Sequence, residues 1–355
     1  MRAAAARASM FLATSPNVET PCRRLRGGVD VFLRKIVPRE RSAFATTSPP
    51  RRRLQGVSTL GGRLDARAGL RSVVALVLLL AVSQRAAAAI PPKRVVSLAP
   101  SLTEMAFALG AGGALVGVTT VCNYPAAALK LPKIGGMEDG GVDLERVLAL
   151  KPDLVIAIGL HQSSTVAALR RLGLRVEVVP SQTLEDVFSG ATRLGTLLGR
   201  EAAAKRLTAD LGARVDRVRK ATAALPRGRR PRVFYEVWDQ PLMTATGRTL
   251  IGRLIDVAGG VNVFGELSGG YVQVSPEAVL KRDPEVILAP TQHGSRVIPE
   301  NLMRRPGLAG VKAVRTGRVV VLDGDIVSRA GPRIADALEL VAKAIHPELF
   351  PEPVR

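Results

Sequence analysis

A 16-residue segment occurs twice in this chain, 132 residues apart. VDLERVLALKPDLVIA (142–157) aligns without a gap on VSPEAVLKRDPEVILA (274–289), with Val, Glu, Val, Leu, Pro and Ala at matching places. In each copy Asp143 or Ser275 can cap a short helix, because a side-chain oxygen there accepts from a free backbone N–H of the first turn. Pro152 or Pro284 then ends the helix, since it lacks an N–H and its ring clashes with the preceding turn. The apolar run that follows reads as a buried strand. A helix–proline–strand unit used twice predicts two α/β halves. It also places Glu145 and Glu277 in the first turns of equivalent helices. A carboxylate there suits the helix dipole, and two such carboxylates can also face a partner with two-fold symmetry.

The rest of the chain fits this frame. Apolar runs at 94–98, 115–119, 154–158, 175–179, 233–237, 286–289 and 318–322 alternate with helical periodicity, the pattern of parallel α/β sheets. Ser101 and Glu104 read as a capping box opening a helix that stops at Gly110. Helices are expected at 183–198, 201–225 and 333–345. The fold class is therefore α/β, with two Rossmann-like lobes of parallel sheet joined by one long rigid backbone helix. The expected boundaries are a first lobe at 90–200, a linking helix at 201–228 and a second lobe at 229–355.

The segment ahead of these lobes reads differently. Residues 73–82 (VVALVLLLAV) form an apolar run preceded by Arg63, Arg67 and Arg71 and followed by four alanines. That is the layout of a signal peptide over 63–89, too short for a membrane span. Residues 1–62 read as disordered or as an extension from a misassigned start. No cysteine stands at the expected cleavage point just after the apolar run, so the expected product is a soluble periplasmic protein without a lipid anchor. The only mature cysteine is then Cys122, which leaves no internal disulfide. The leader carries 16 of the 51 basic and 4 of the 30 acidic side chains, so net charge falls from +21 to +9 for residues 90–355. That domain lacks the basic and aromatic interleaving of a nucleic-acid surface, and a monomer is expected. No nucleophile elbow, phosphate loop, His-Glu-x-x-His or cysteine pair is present, which argues against an enzyme. With three histidines in the chain, a divalent-metal site has few ligands to draw on. His346, ahead of Pro347, reads as a tail residue.

Several stretches resemble a known family. RVVSLAPSLTEMAFALGAG (94–112), GVTTVCNYP (117–125), VDLERVLALKPDLVIA (142–157) and SRAGPRI (328–334) are similar to the helical-backbone solute-binding proteins of ABC importers for cobalamin, haem and ferric siderophores. Tyr-Pro after the second strand and Asp-x-x-x-Arg before the last helix resemble the cobalamin branch. The resemblance implies two lobes that flex little on binding. It implies no intrinsic cofactor and a cobalamin ligand, with haem or a ferric siderophore as the alternative. It also implies an ABC permease dimer with its ATPase subunits as the partner, docked through one glutamate per lobe, at positions matched by Glu145 and Glu277.

The implied cleft residues are Tyr124, Trp238, Tyr271, Asp325 and Arg329. Aromatic faces suit a broad flat ring, and the last two can hydrogen-bond its amides or simply pair with each other one turn apart. The chain departs from the cobalamin pattern in lacking tryptophan at 134–137 and 158–159. The repeat also maps His161 onto His293, a pair able to ligate the metal of a ring from both sides.

Overall fold

The computed structural model describes residues 90–136, 139–159, 162–291, 304 and 307–351. The segments 1–62 and 63–89, together with His161 and His293, lie outside the described residues. In chain order the first lobe contains β1 (Val95–Ser97), α1 (Pro100–Ala108), β2 (Leu115–Val118), the small hairpin β3 (Gly135–Gly136) and β4 (Gly141–Val142), α2 (Leu144–Ala149), β5 (Leu154–Ala157), α3 (Ser163–Arg171), β6 (Val176–Val178) and α4 (Leu184–Leu197). The 23-residue α5 (Glu201–Ala223) follows. The second lobe has β7 (Arg232–Asp239), β8 (Leu242–Ala245), α6 (Leu250–Val257), β9 (Val261–Asn262), β10 (Tyr271–Gln273), α7 (Pro276–Arg282), β11 (Val286–Pro290), α8 (Lys312–Arg315), β12 (Val319–Leu322), α9 (Gly324–Val327) and α10 (Ile334–Ile345).

The first sheet runs β2-β1-β5-β6, all parallel. The second has a parallel centre of β7, β11 and β12, extended past β7 by β8 and β10 in antiparallel fashion, with β9 also pairing β7. Every strand expected from an apolar run is present. The antiparallel additions are short, four and three residues, and β10 is largely exposed, so no long apolar run announces them.

The 132-residue repeat is structural. Asp143 and Ser275 accept from the N–H groups of Arg146 and Ala278, at 3.0 and 3.2 Å. Val147 and Val279 are both fully buried. Lys151 and Asp283, each just before the proline, share a left-handed backbone with φ of 45° and 40°. Arg94 then donates to the Leu150 and Lys151 carbonyls, and Arg232 to the Asp283 carbonyl, closing each helix C-terminus. Asp153 and Glu285 accept backbone N–H groups from Arg94 and Arg232 at the start of the neighbouring strand.

Glu285 also takes Lys312 at 2.7 Å, and that ammonium is the main influence holding its carboxyl below the usual range. A depressed carboxyl contributes stability that is present above its unfolded value and lost as pH falls through the folded one. Glu285→Gln should therefore cost under about 1 kcal/mol at neutral pH, since the pair is partly solvated. The difference from wild type should shrink in urea titrations as pH falls below the ordinary carboxylate range and Glu285 is protonated in the folded state too.

Alternate strand residues face two cores. Val96, Val155 and Ala157 pack with Val147 on the outer side of the first sheet. Phe234, Ile287 and Ala289 do the same with Val279 in the second. The opposite residues (Val95, Leu154 and Ile156; Val233, Tyr235, Val286 and Leu288) share one continuous core with Leu211, Val215 and Val218 of α5 and Leu338 and Val341 of α10. Arg214 of α5 reinforces it by pairing with Asp336 at 2.6 Å and Glu339 at 2.7 Å. Lobes that share packed apolar side chains resist relative motion, because close-packed interiors transmit strain rather than absorb it.

Two local expectations are corrected. Ser101 and Glu104 form no capping box: α1 starts at Pro100 with Ala99 as its N-cap and no side-chain cap bond. The capping box of the first lobe belongs to α4, where Thr183 and Asp186 exchange bonds of 3.0 and 3.1 Å. His346 is no tail residue. It is 1% exposed, with its ring against the Gly259 carbonyl and the Glu348 carboxylate. Pro347 turns the chain without releasing it from the core.

Candidate functional site

Parallel strands bring their C-terminal ends to one edge of each sheet, and the loops leaving those ends are where open α/β sheets bind ligands. In the first lobe these are the turn after β1, residues 119–124 after β2 and residues 158–159 after β5. In the second they are residues 240–241 after β7, Thr291 after β11, and the Asp323–Arg333 stretch after β12. The two sets meet. Asn123 donates to Asp325 at 2.6 Å. Arg329 donates to Asn123, to the Val121 carbonyl and to Glu104, at 2.8, 3.2 and 2.9 Å. Arg333 reaches Glu104 with two bonds of 2.7 and 2.8 Å. Ser181 donates to the Ala330 carbonyl, and Gly331 brings backbone against Ser101 with only 3.4 Å between a Cβ placed there and Ser101 Cα.

Glu104 is the hub of this junction. Its side chain is 1% exposed and carries both guanidiniums, which are themselves 10% and 15% exposed. The hydrogen bond to Glu104 is the largest influence raising the Arg333 pKa. Asp325 and Arg329 pair at 2.6 Å one turn apart, as helical spacing allows, but each also bonds the opposite lobe. Two carboxylates and two guanidiniums leave the cluster formally neutral. The sequence reading missed Glu104 and Arg333, because nothing local marks residues whose partners lie more than 200 positions away.

Tyr124 stands beside this junction, while Trp238 and Tyr271 lie on strands β7 and β10 of the second lobe. Tyr124 is 47% exposed, with the Arg333 guanidinium 4.2 Å from its ring centroid. One face is thus held by a cation–π contact. Trp238, at the end of β7, is anchored by its indole N–H to the Gln240 carbonyl at 2.9 Å and leaves much of its ring uncovered. Tyr271, on the outermost strand β10, is half-exposed, and desolvation by its neighbours pushes its phenol pKa up. Tyr235 on β7 is buried, and that desolvation raises its phenol pKa, with the Tyr271 phenol acting in the same direction. Asp325 is delivered by α9, whose first residue must be glycine because a Cβ at Gly324 would collide with the Thr291 carbonyl oxygen.

Glu145 and Glu277 sit elsewhere, exposed on α2 and α7. Neither has an ion-pair partner among the described residues. The Ser275 hydroxyl, through a hydrogen bond, is the main influence lowering the Glu277 carboxyl. Two surface hollows of about 340 and 240 Å³ are lined by other residues and touch none of these side chains. Among the described residues no group of three or more His, Cys, Asp or Glu is placed to hold a metal ion, and no helix is long and apolar enough to cross a membrane.

Two α/β lobes, with Tyr124 exposed in a loop of the first and Trp238 and Tyr271 exposed on strands of the second, have the architecture of a bilobed binding protein. Residues 95–326 match the periplasmic binding protein family, and the chain belongs to it. It is a binding protein of the ABC-importer type. An ABC transporter substrate-binding lipoprotein of Bacillus subtilis is 32% identical over 266 residues, covering 74% of this chain and 82% of that one. The periplasmic vitamin B12 binding protein BtuF of Vibrio cholerae superposes with a TM-score of 0.63 at 29% identity, over 74% of this chain and 99% of that one. A periplasmic heme binding protein of Pseudomonas aeruginosa superposes with a TM-score of 0.65 at 30% identity, over 72% and 93%.

Proposed function

We propose that this protein is the periplasmic substrate-binding component of an ABC importer that captures cobalamin between its lobes and hands it to an inner-membrane permease. In this reading 63–89 exports the chain, 90–200 and 229–355 are the ligand-binding lobes, and 201–228 is the connector. The protein works as a monomer and catalyses nothing. Tyr124, Trp238 and Tyr271 cover the ring, while Asp325 and Arg329 hydrogen-bond its amides. Glu145 and Glu277 dock on the permease dimer, whose ATPase subunits drive release.

The observation that carries the cobalamin choice is the neutrality of the inter-lobe cluster. A corrin's peripheral amides are uncharged donors and acceptors, matched by a balanced set of carboxylates and guanidiniums. Haem propionates and ferric siderophores are anionic and call for an excess of cations. Arg329 and Arg333 offer none, because Glu104 and Asp325 offset them. Haem remains the second reading, favoured by the placement of His161 and His293 in the repeat.

Trp238 is the only tryptophan in the chain, so its emission reports the cleft directly. Cyanocobalamin should quench it saturably at one ligand per protein. Emission that stays constant while cyanocobalamin rises contradicts the proposal.

A further inference from the structure

Beside each proposed docking glutamate the structure exposes a leucine. Leu148 and Leu280 are 38% and 43% exposed, and each lies three residues after its glutamate, on the same helix face. They occupy equivalent positions in the repeat. The buried Val147 and Val279 fix the rotation of both helices identically, so Glu145 with Leu148 and Glu277 with Leu280 form two copies of one acidic–apolar couple. Other positions on these helices diverge: Arg146 corresponds to Ala278, and Ala149 to Lys281. Single exposed leucines are ordinary, and Leu129 and Leu172 are more exposed still; what sets this pair apart is its repetition at equivalent places in two lobes. Two of them, each next to a carboxylate with no ion-pair partner among the described residues, match a surface made to be covered.

We infer that the permease dimer receives each leucine in an apolar socket rimmed by cationic side chains, one per subunit. This inference rests on the importer reading above. The couples divide the work: the carboxylates steer approach and set register, while the leucines, desolvated on contact, slow dissociation. A two-fold partner can engage both lobes at once only because the repeat presents the same couple twice.

The test is surface plasmon resonance of the full-length exported protein, ligand-free and saturated with cyanocobalamin, on its permease–ATPase complex in nanodiscs. Leu148→Ser and Leu280→Ser should each weaken docking about tenfold through faster dissociation, and the double variant about a hundredfold, largely independent of salt. Glu145→Arg and Glu277→Arg should instead slow association and flatten its salt dependence. Cyanocobalamin quenching of Trp238 should be unchanged in all four single variants. A double leucine variant that docks within twofold of wild type, while the glutamate variants fail, overturns the socket inference and leaves the importer reading standing. Wild-type protein that does not dock overturns the importer reading itself. Leucine-dependent dimers in sedimentation, in the absence of permease, assign the couples to self-association and overturn the inference.

Discussion

Glu104→Gln should lower the free energy of unfolding by about 3–5 kcal/mol, the cost of stripping one partner from a buried ion-pair cluster. The size follows from geometry. Glu104 accepts three charge-assisted bonds of 2.7, 2.8 and 2.9 Å from Arg329 and Arg333. A glutamine keeps the shape, but it offers one acceptor oxygen and no charge, and turns its amide N–H groups toward a guanidinium. Arg329 is then left with Asp325 as its carboxylate partner, and Arg333 with the Asp325 carbonyl and the charge of Asp323. The partners belong to opposite lobes, so the loss should also loosen the junction under the cleft and release Arg333 from Tyr124. Urea denaturation gives the first quantity, and amide hydrogen exchange in 119–124 and 323–333 gives the second. A variant as stable as wild type, with unchanged exchange, contradicts the hub role of Glu104.

Removing the two tyrosines should disable capture while sparing the fold. Tyr124 and Tyr271 are 47% and 50% exposed, so Tyr→Ala at either leaves few broken core contacts. Covering one aromatic face with a flat ring is worth about 2 kcal/mol. Each single variant should therefore bind cyanocobalamin roughly thirtyfold more weakly, and the double roughly a thousandfold if the sites are independent. Tyr124→Phe should retain most affinity, because the proposed contribution is the ring and not the hydroxyl. Thermal unfolding should move little in any of them. A double variant that binds as wild type does would place the ligand elsewhere.

Much of the architecture was legible because its physics is local. Strands such as Leu154–Ala157 and Val286–Pro290 are buried on both faces, which leaves continuous apolar runs. Pro152 and Pro284 stop helices wherever they occur. The repeat added what no single segment could: equivalence of α2 with α7, and thus of Glu145 with Glu277. Local signals misled where a long-range partner prevailed. Ser101 and Glu104 have capping-box spacing, yet the carboxylate serves arginines 225 and 229 residues away. His346 follows the last helix and precedes a proline, yet the turn after α6 reaches across to bury it. Asp325 and Arg329 were legible as a pair, while Arg333, which holds Tyr124, lay within the resemblant 328–334 stretch with no feature that singled it out.

The proposed function is capture of a neutral-rimmed corrin between two lobes fixed by a shared core. Calorimetric titration of the protein with cyanocobalamin, haemin and a ferric siderophore tests it most directly. One cyanocobalamin should bind per protein, at least about a hundredfold more tightly than either rival, which requires near 3 kcal/mol of discrimination. Tight binding of haemin instead, with an absorbance spectrum that His161→Ala abolishes and the paired Tyr124→Ala and Tyr271→Ala variant retains, contradicts it.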